Sequence, residues 1–190
     1  MAGTQKASPR ERLLDAAARL SYRDGVSIGV EALCREAGVS KRSMYQLFDS
    51  KDEMLAASLE RRVPRYLTLF THPDPEAASP RERILYVFEQ LEKGAADPGY
   101  HGCPYLAALV ELKDPGHPAS VVAREVKEGL EKSFRAEAER GGARDPGLLA
   151  RQLLLVFDGA SARAGARIEH LDDGLATATA TALLDAAGVR

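Results

Sequence analysis

The chain has 190 residues, of which 45% are hydrophobic and 28% are charged, a composition typical of globular proteins. Its net charge of −2 excludes a broadly basic nucleic-acid coat protein. No apolar run approaches the roughly 18 residues of a membrane span, and the N-terminus lacks the apolar stretch of a secretory signal. The charge is uneven, because residues 1–65 carry twelve basic against nine acidic side chains. The N-terminal part is therefore the one expected to meet a polyanion.

Helix start and stop signals follow one another along the whole chain. Ser-Pro-Arg-Glu occurs at 8–11 and again at 79–82, with Ser as N-cap, Pro at the first helical position and Glu at the third. Glycines and Asp-Pro-Gly sequences mark the helix ends, and no segment alternates in the manner of a strand. The expected fold class is all-α, with Pro64 kinking or ending the fourth helix. The expected helices are 9–23, 30–37, 41–48, 51–70, 80–94, 103–112, 118–140, 146–170 and 173–187.

The most informative stretch lies at residues 30–48. A short helix ends at Gly38 and a second begins after Ser40, so the two form a helix-turn-helix unit. Glycine suits this turn because it adopts positive φ at little cost. The buried side of the unit is expected to include Cys34, Met44 and Phe48.

The second helix of this unit has two faces. At about 100° per residue from Ser40, polar, cationic and aromatic side chains share one face, whereas Leu47 falls on the apolar side. Lys and Arg bind phosphate or guanine, and Gln pairs with adenine in the major groove. Lys51 adds a charge at the start of the next helix, where backbone N–H groups favour anions. The residues expected to contact DNA are Ser40, Lys41, Arg42, Ser43, Tyr45, Gln46 and Lys51. The alternative is a charged face that is merely solvated.

Residues 9–60 resemble the DNA-binding domain of TetR-type (tetracycline-repressor-like) transcriptional regulators. The features that carry the resemblance are an Ala-Gly-Val-Ser turn at 37–40, a Tyr-x-x-Phe at 45–48 and a downstream Ser-Lys at 50–51. Three positions depart from the family's usual pattern. Leu47 replaces a polar residue, Arg42 a small one and Cys34 an alanine, so the operator sequence does not follow from the family.

The resemblance implies two domains. An N-terminal three-helix helix-turn-helix domain is expected at 1–50 and a larger C-terminal helical ligand-binding and dimerisation domain at 51–190, with helix 51–70 linking them. The final two helices are expected to pair with their copies in a homodimer. The residues expected at that interface are Leu153, Phe157, Ala160, Ala164 and Leu183. An internal bundle core is the alternative for the same side chains.

Apolar and aromatic side chains of the second domain are candidates for a ligand pocket, because such pockets are mostly apolar with a few placed polar groups. The candidates are Leu67, Phe70, Phe88, Leu91, Cys103, Tyr105, Leu106, Leu109 and Phe134. Plain core packing is the alternative for each of them.

Cys103 lies near a helix start, where a thiol would suit redox sensing. His101-x-Cys103 lacks a second Cys/His pair that would complete a metal site, and neither a metal nor a cofactor is expected. No nucleophile elbow, phosphate-binding glycine loop or His-Glu-x-x-His motif is present in the sequence, so we expect no enzyme.

The expected function is that of a homodimeric repressor, released from a palindromic operator in double-stranded DNA by a small, mostly apolar molecule. Two cysteines far apart in sequence fit reduced thiols and a cytoplasmic location, with no membrane partner. A ligand- or thiol-responsive activator on the same scaffold is the second hypothesis. The third is a helical binding module or enzyme without a DNA role, which predicts no salt-dependent binding to duplexes.

Overall fold

A computed structural model describes residues 7–190, in which every regular element is helical. The all-α prediction is confirmed. Residues 1–6, part of the stretch considered for a secretory signal and of the expected 1–50 domain, lie outside the described range. None of the described helices combines the length and apolarity that crossing a membrane requires. The helices are α1 (Pro9–Asp24), α2 (Val30–Ala37), α3 (Lys41–Tyr45), α4 (Lys51–Glu60), α5 (Val63–Leu69), α6 (Pro80–Ala95), α7 (Pro104–Leu112), α8 (Pro118–Arg140), α9 (Pro146–Gly165) and α10 (Leu175–Ala187), with a 3-10 helix at Leu171–Asp173.

Both Ser-Pro-Arg-Glu sequences begin helices, as predicted. The Ser8 hydroxyl accepts a hydrogen bond from the Glu11 N–H at 3.2 Å, and the Glu11 carboxylate accepts one from the Ser8 N–H at 2.7 Å. Ser79 and Glu82 repeat the arrangement at the start of α6, with the same two distances. These bonds satisfy backbone donors that the first helical turn leaves free. The backbone N–H of each serine also holds the pKa of its glutamate partner below the usual range.

The expected helix 51–70 is two helices. Helix α4 ends at Glu60, and α5 begins at Val63, in agreement with the predicted break near Pro64. Pro64 is the second residue of α5, where its missing N–H removes no intrahelical bond. Four other expected helices are shorter in the structure. The helices expected at 41–48, 103–112, 146–170 and 173–187 are Lys41–Tyr45, Pro104–Leu112, Pro146–Gly165 and Leu175–Ala187.

The described chain divides into two compact units. The N-terminal unit extends to Arg62 and also includes Ala107–Arg124, whereas the C-terminal unit consists of Val63–Leu106 and Glu125–Arg190. This division differs from the expected boundary after residue 50. Signals near the chain start did not indicate that a segment beginning at Ala107, 45 residues after Arg62, joins the N-terminal unit.

Helix α1 is the centre of the N-terminal unit, because it packs against α2 and α4. Its apolar face is buried, with Leu13 and Ala17 fully inaccessible to solvent. Helix α4 belongs to this unit because it buries Met54 and Leu55. Burial of side chains of this size contributes roughly 1.5–3 kcal/mol each, so α4 is an integral helix of the N-terminal unit (the head) rather than a free linker.

The core of the C-terminal unit is built around aromatic rings. Phe88 of α6 stacks on Phe134 of α8, with ring centroids 5.8 Å apart, and meets Phe157 of α9 edge-on at 6.4 Å. The Lys127 ammonium lies 4.9 Å from the Phe157 ring centre and pairs with Asp158. Because Lys127 is buried, this carboxylate and ring compensate for the water that its charge has lost.

The loop before α7 lies directly against α9 through two glycines. Gly102 has φ +90°, and a Cβ at Gly165 would lie 2.5 Å from the Gly102 nitrogen and from the His101 carbonyl carbon. No other residue fits at Gly165 without moving backbone. Gly165 therefore serves packing inside the C-terminal unit.

Candidate nucleic-acid interface

The turn between α2 and α3 is closed by backbone hydrogen bonds at Gly38. This glycine has φ +61° and ψ +40°, and its N–H donates to the Arg35 carbonyl at 3.2 Å. The next N–H, of Val39, reaches back to the Cys34 carbonyl at 3.0 Å. This pair of bonds is the Schellman arrangement, which requires a left-handed residue after the helix. The predicted role of Gly38 is confirmed.

Two side chains hold this turn in place. The Ser40 hydroxyl caps α3 by accepting from the Ser43 N–H at 3.1 Å. From α1, the Arg12 Nε donates to the Ala37 carbonyl at 3.0 Å and so satisfies an acceptor at the end of α2. Helices α1 and α2 are thus joined by a directional bond as well as by packing, and the Ser40 cap fixes the residue at which α3 begins.

The two faces expected for α3 are present. The core predictions for Cys34, Met44 and Phe48 are confirmed, since these residues are 6%, 0% and 2% exposed. On the opposite side Tyr45 is 55% exposed, and Ser43 is half-buried. The other exposed side chains among the expected DNA contacts on this helix are Ser40, Lys41, Arg42 and Gln46.

Leu47 is on the outside of the head, contrary to its predicted place on the apolar side. It is 39% exposed, because α3 ends at Tyr45. The Leu47 N–H bonds to the Met44 carbonyl, three residues back, at 2.9 Å. A 3-10 turn advances by about 120° per residue rather than 100°, so angles extrapolated along an α-helix misplace this side chain.

Glu31 is an acidic residue of this surface that sequence reasoning missed. Its carboxylate lies 2.5 Å from the Lys41 ammonium, and both side chains are mainly exposed. The hydrogen bond with Glu31 raises the pKa of Lys41, and the same bond lowers the pKa of Glu31. A ten-residue separation across a turn carries no helical spacing signal, which explains why the pair was not foreseen.

Lys51 has structural partners in addition to its expected DNA contact. Its ammonium donates to the Val26 carbonyl at 3.4 Å and to the Ile28 carbonyl at 3.3 Å. Ammonium has three donors, so one N–H remains for a phosphate oxygen. The side chain therefore also orders the loop between α1 and α2.

The end of α7 and its connection to α8 provide two further polar contacts within the N-terminal unit. The Glu111 carboxylate accepts from the Val26 N–H at 2.7 Å, and the His117 Nε2 lies 3.4 Å from the Asp52 carboxylate in the first turn of α4. Gly25 has φ +88°, and a Cβ there would lie 2.6 Å from the Glu111 carboxylate. Glycine is thus needed at 25 for both conformation and space.

In the C-terminal unit, Cys103 is buried beside an aromatic side chain. Its sulfur lies 3.2 Å from the Tyr66 hydroxyl, and the Tyr66 ring packs edge-on against Tyr105 at 4.8 Å. Burial, reinforced by the neighbouring Cys103, raises the pKa of Tyr66 far above its usual range.

Within residues 7–190, no three His, Cys, Asp or Glu side chains are grouped as a metal site would require.

The expected ligand residues do not form a single group. Leu109 belongs to the N-terminal unit, and Leu67 is 43% exposed on α5. Phe88, Leu91, Cys103, Tyr105 and Phe134 are buried, whereas Phe70 and Leu106 are half-buried.

A cavity of about 150 Å³ lies in the C-terminal unit, beside two of these residues, Phe70 and Phe134. An ion pair between Arg83 and Glu137, 2.7 Å apart and largely shielded from water, forms one wall. The complete lining is Phe70, Thr71, His72, Pro75, Arg83, Ile84, Val87, Ser133, Phe134 and Glu137.

The expected dimer residues face the interior of their own unit. Leu153, Phe157 and Ala164 are 0%, 1% and 9% exposed, so they cannot form an outer contact surface without unfolding. Ala160 and Leu183 are half-buried. Leu153, Phe157 and Ala164 therefore belong to the internal core, which was the alternative interpretation of these side chains. The exposed apolar side chains of α9 and α10 are Leu148, Leu155, Ala162, Leu175, Ala178, Ala182 and Ala186.

The capped turn, the exposed helix α3 and its cationic and amide side chains define a helix-turn-helix DNA-binding regulator. Comparisons with known proteins agree. Residues 13–58 match the bacterial regulatory proteins of the tetR family. A crystal structure of a TetR-type regulator from Streptomyces avermitilis is 62% identical, with a TM-score of 0.93, over 97% of this chain and all of that one. The chain therefore belongs to the TetR family of transcriptional regulators, whose members are not enzymes.

More distant proteins show the same fold. A TetR-family regulator from Streptomyces coelicolor is 24% identical with a TM-score of 0.84, over 95% of this chain and 96% of that one. The reduced form of NemR from Escherichia coli is 24% identical with a TM-score of 0.79, over 92% and 95% of the two chains. An HTH-type regulator of Mycobacterium tuberculosis is 35% identical over 92 residues, which are 45% of this chain and 46% of that relative. The match thus spans about half of that curated relative's length.

Proposed function

We propose that this regulator is a cytoplasmic homodimeric repressor that a small molecule releases from a palindromic operator. The proposal rests on two surfaces of the same chain. One unit exposes the α3 face that is expected to read DNA, and the other exposes an apolar stripe formed by side chains on α9 and α10. Leu155 of that stripe is 73% exposed, which is unusual for a leucine without a partner surface. Two copies joined along α9 and α10 would present two identical reading helices, and these match an operator with two-fold symmetry.

The ligand is proposed to be small and mostly apolar. The cavity beside Phe70 and Phe134 has a volume of about 150 Å³, close to that of apolar protein cavities known to hold a single benzene ring. Its apolar floor includes Ile84 and Val87, and the Arg83–Glu137 pair supplies a polar wall. Such a lining favours a ring or short chain with one polar group.

The proposed signal runs through α7 and α8, because each of these helices contributes residues to both units. Glu111, near the end of α7, binds Val26 in the α1–α2 loop, and His117, just before α8, lies beside Asp52 of α4. A ligand that shifts either helix would change the position of α3 through these contacts. Because the ligand and DNA favour different positions, each weakens binding of the other by the same factor.

The test is to titrate a labelled operator duplex with the protein while screening small apolar acids, alcohols and amides, and to follow transcription from that operator in cells. We expect one compound class to lower operator affinity by tenfold or more, about 1.4 kcal/mol of coupling, and to raise transcription. Ser133→Trp, at an exposed position on the cavity lining, should remove the response and keep operator binding. Transcription that falls when the protein is deleted would contradict repression.

A further inference from the structure

The Glu31–Lys41 ion pair is placed on the surface that faces DNA. Lys41 is the first residue of α3, and Glu31 is in the first turn of α2. Their side chains are 52% and 79% exposed, so neither is needed to fill the core. In helix-turn-helix proteins the N-terminal residues of the second helix contact base edges. The pair therefore lies where the protein would contact base edges in the major groove.

A glutamate at this place has an electrostatic cost. Duplex DNA is densely negative, so a carboxylate beside it weakens binding to every sequence unless the carboxylate also finds a hydrogen-bond donor on the DNA. The hydrogen bond from Lys41 lowers the pKa of Glu31, and an ionised carboxylate only accepts hydrogen bonds. Phosphates offer no donor. In the major groove, the donors are the exocyclic amino groups of cytosine and adenine.

We propose that Glu31 and Lys41 together read one C·G base pair in each half-site. The ion pair presents an acceptor and a donor side by side, with Oε1 and Nζ 2.5 Å apart. The major-groove edge of C·G presents the complement, the cytosine N4 donor beside the guanine O6 acceptor. Those two groups are hydrogen-bonded to each other and lie about 2.9 Å apart. Two parallel hydrogen bonds therefore form, Glu31 accepting from N4 and Lys41 donating to O6.

The other base pairs fit this donor–acceptor pair less well. Adenine also offers an amino group, but its N7 acceptor lies beside that group and repels the carboxylate, and the thymine methyl hinders approach to the partner's O4. In C·G, the acceptor N7 lies beside guanine O6 and gives Lys41 a second partner. A reversed G·C pair places an acceptor against Glu31 and a donor against Lys41. Glu31 therefore acts mainly by rejecting wrong bases.

The experiment compares selection from random duplexes by the wild-type chain and by Glu31→Gln and Glu36→Gln. Glu36 is a matched control, because it is on the same helix and its exposed carboxylate pairs with Arg19 of α1 at 2.9 Å. Both substitutions remove the same charge from an exposed site. We expect Glu31→Gln to lose about tenfold preference for cytosine at one position of each half-site. Glu36→Gln should keep that preference and bind all sequences slightly tighter.

A change in the DNA separates base reading from general electrostatics. In the recovered site, that cytosine is replaced by 2-pyrimidinone, which lacks the 4-amino group and keeps two hydrogen bonds to guanine. Wild-type affinity should fall by about tenfold, whereas Glu31→Gln should lose nothing further. Equal losses in both proteins, or unchanged base preferences with uniformly tighter binding by Glu31→Gln, would overturn the proposal. Because the assay needs no ligand, failure of the release mechanism leaves its outcome unaffected.

Discussion

Tyr66 is a tyrosine of the C-terminal unit whose pKa is raised well above the ordinary value. Its hydroxyl is 3.2 Å from the Cys103 sulfur, and its ring lies between Phe70 and Tyr105, with centroids at 5.0 and 4.8 Å. Burial raises the pKa of Tyr66 because a phenolate would lose its water there, and the nearby Cys103 and Tyr100 act in the same direction. The native state therefore holds this proton at pH values where the unfolded chain releases it.

The stability of the protein should consequently fall as the pH rises above ~10, the ordinary tyrosine pKa. In that range the unfolded state binds fewer protons than the native state, so the free energy of unfolding decreases with pH. Urea unfolding at pH 8 and pH 11 tests this. Tyr66→Phe should lose less stability between the two pH values than the wild type. Tyr45→Phe, which removes an exposed hydroxyl, should behave as the wild type does, and equal slopes for all three proteins would contradict the account.

At the scale of elements, α9 has two roles on two faces. Its inner face carries Leu153 and Phe157 into the core, and Gly165 at its end lies against the loop before α7. Its outer face carries Leu155, which has no partner within the described chain's core. Substitutions on the two faces should therefore separate folding from association.

Gly165→Ala should destabilise the fold by about 1–3 kcal/mol, the usual effect of overpacking. The new methyl group would meet backbone atoms of His101 and Gly102 at 2.5 Å, and backbone moves less readily than a side chain. Gly129→Ala in α8 is the control, since nothing lies within 4 Å of its Cβ position. That change should stabilise α8 by roughly 0.5–1 kcal/mol. Thermal unfolding of both variants measures the difference, and a neutral Gly165→Ala would refute the close approach.

Leu155→Glu should convert the proposed dimer into a folded monomer. The side chain is 73% exposed in the chain, so the substitution costs little within one subunit, but two glutamates would face each other across a two-fold interface. Leu69→Glu on α5, where the leucine is 52% exposed, is the control and should leave the dimer intact. Sedimentation velocity distinguishes a 20.5 kDa chain from its dimer. A wild-type monomer, or a Leu155→Glu dimer, would contradict the proposed interface.

At the scale of the whole molecule, local signals in the sequence were sufficient for the helices and for the turn. The capping serines, Gly38 and the buried Met44 and Phe48 depend on neighbours within a few residues, and all were predicted correctly. The exposure of Leu47, the Glu31–Lys41 pair and the inward faces of Leu153 and Phe157 depend on where helices end and on contacts between them. Periodicity specifies that a helix has an apolar face, but it does not distinguish a core from a partner subunit.

Selection of genomic fragments by the purified protein, with the bound fraction sequenced at two salt concentrations, tests the central claim most directly. A dimer that carries two α3 helices should recover a palindrome with half-sites about 10–10.5 bp apart, or a multiple of that spacing. Its enrichment over other fragments should persist at the higher salt concentration, because base contacts are less sensitive to salt than phosphate contacts. Binding without sequence preference at both concentrations, or a single unpaired half-site, would contradict a homodimeric operator-reading regulator.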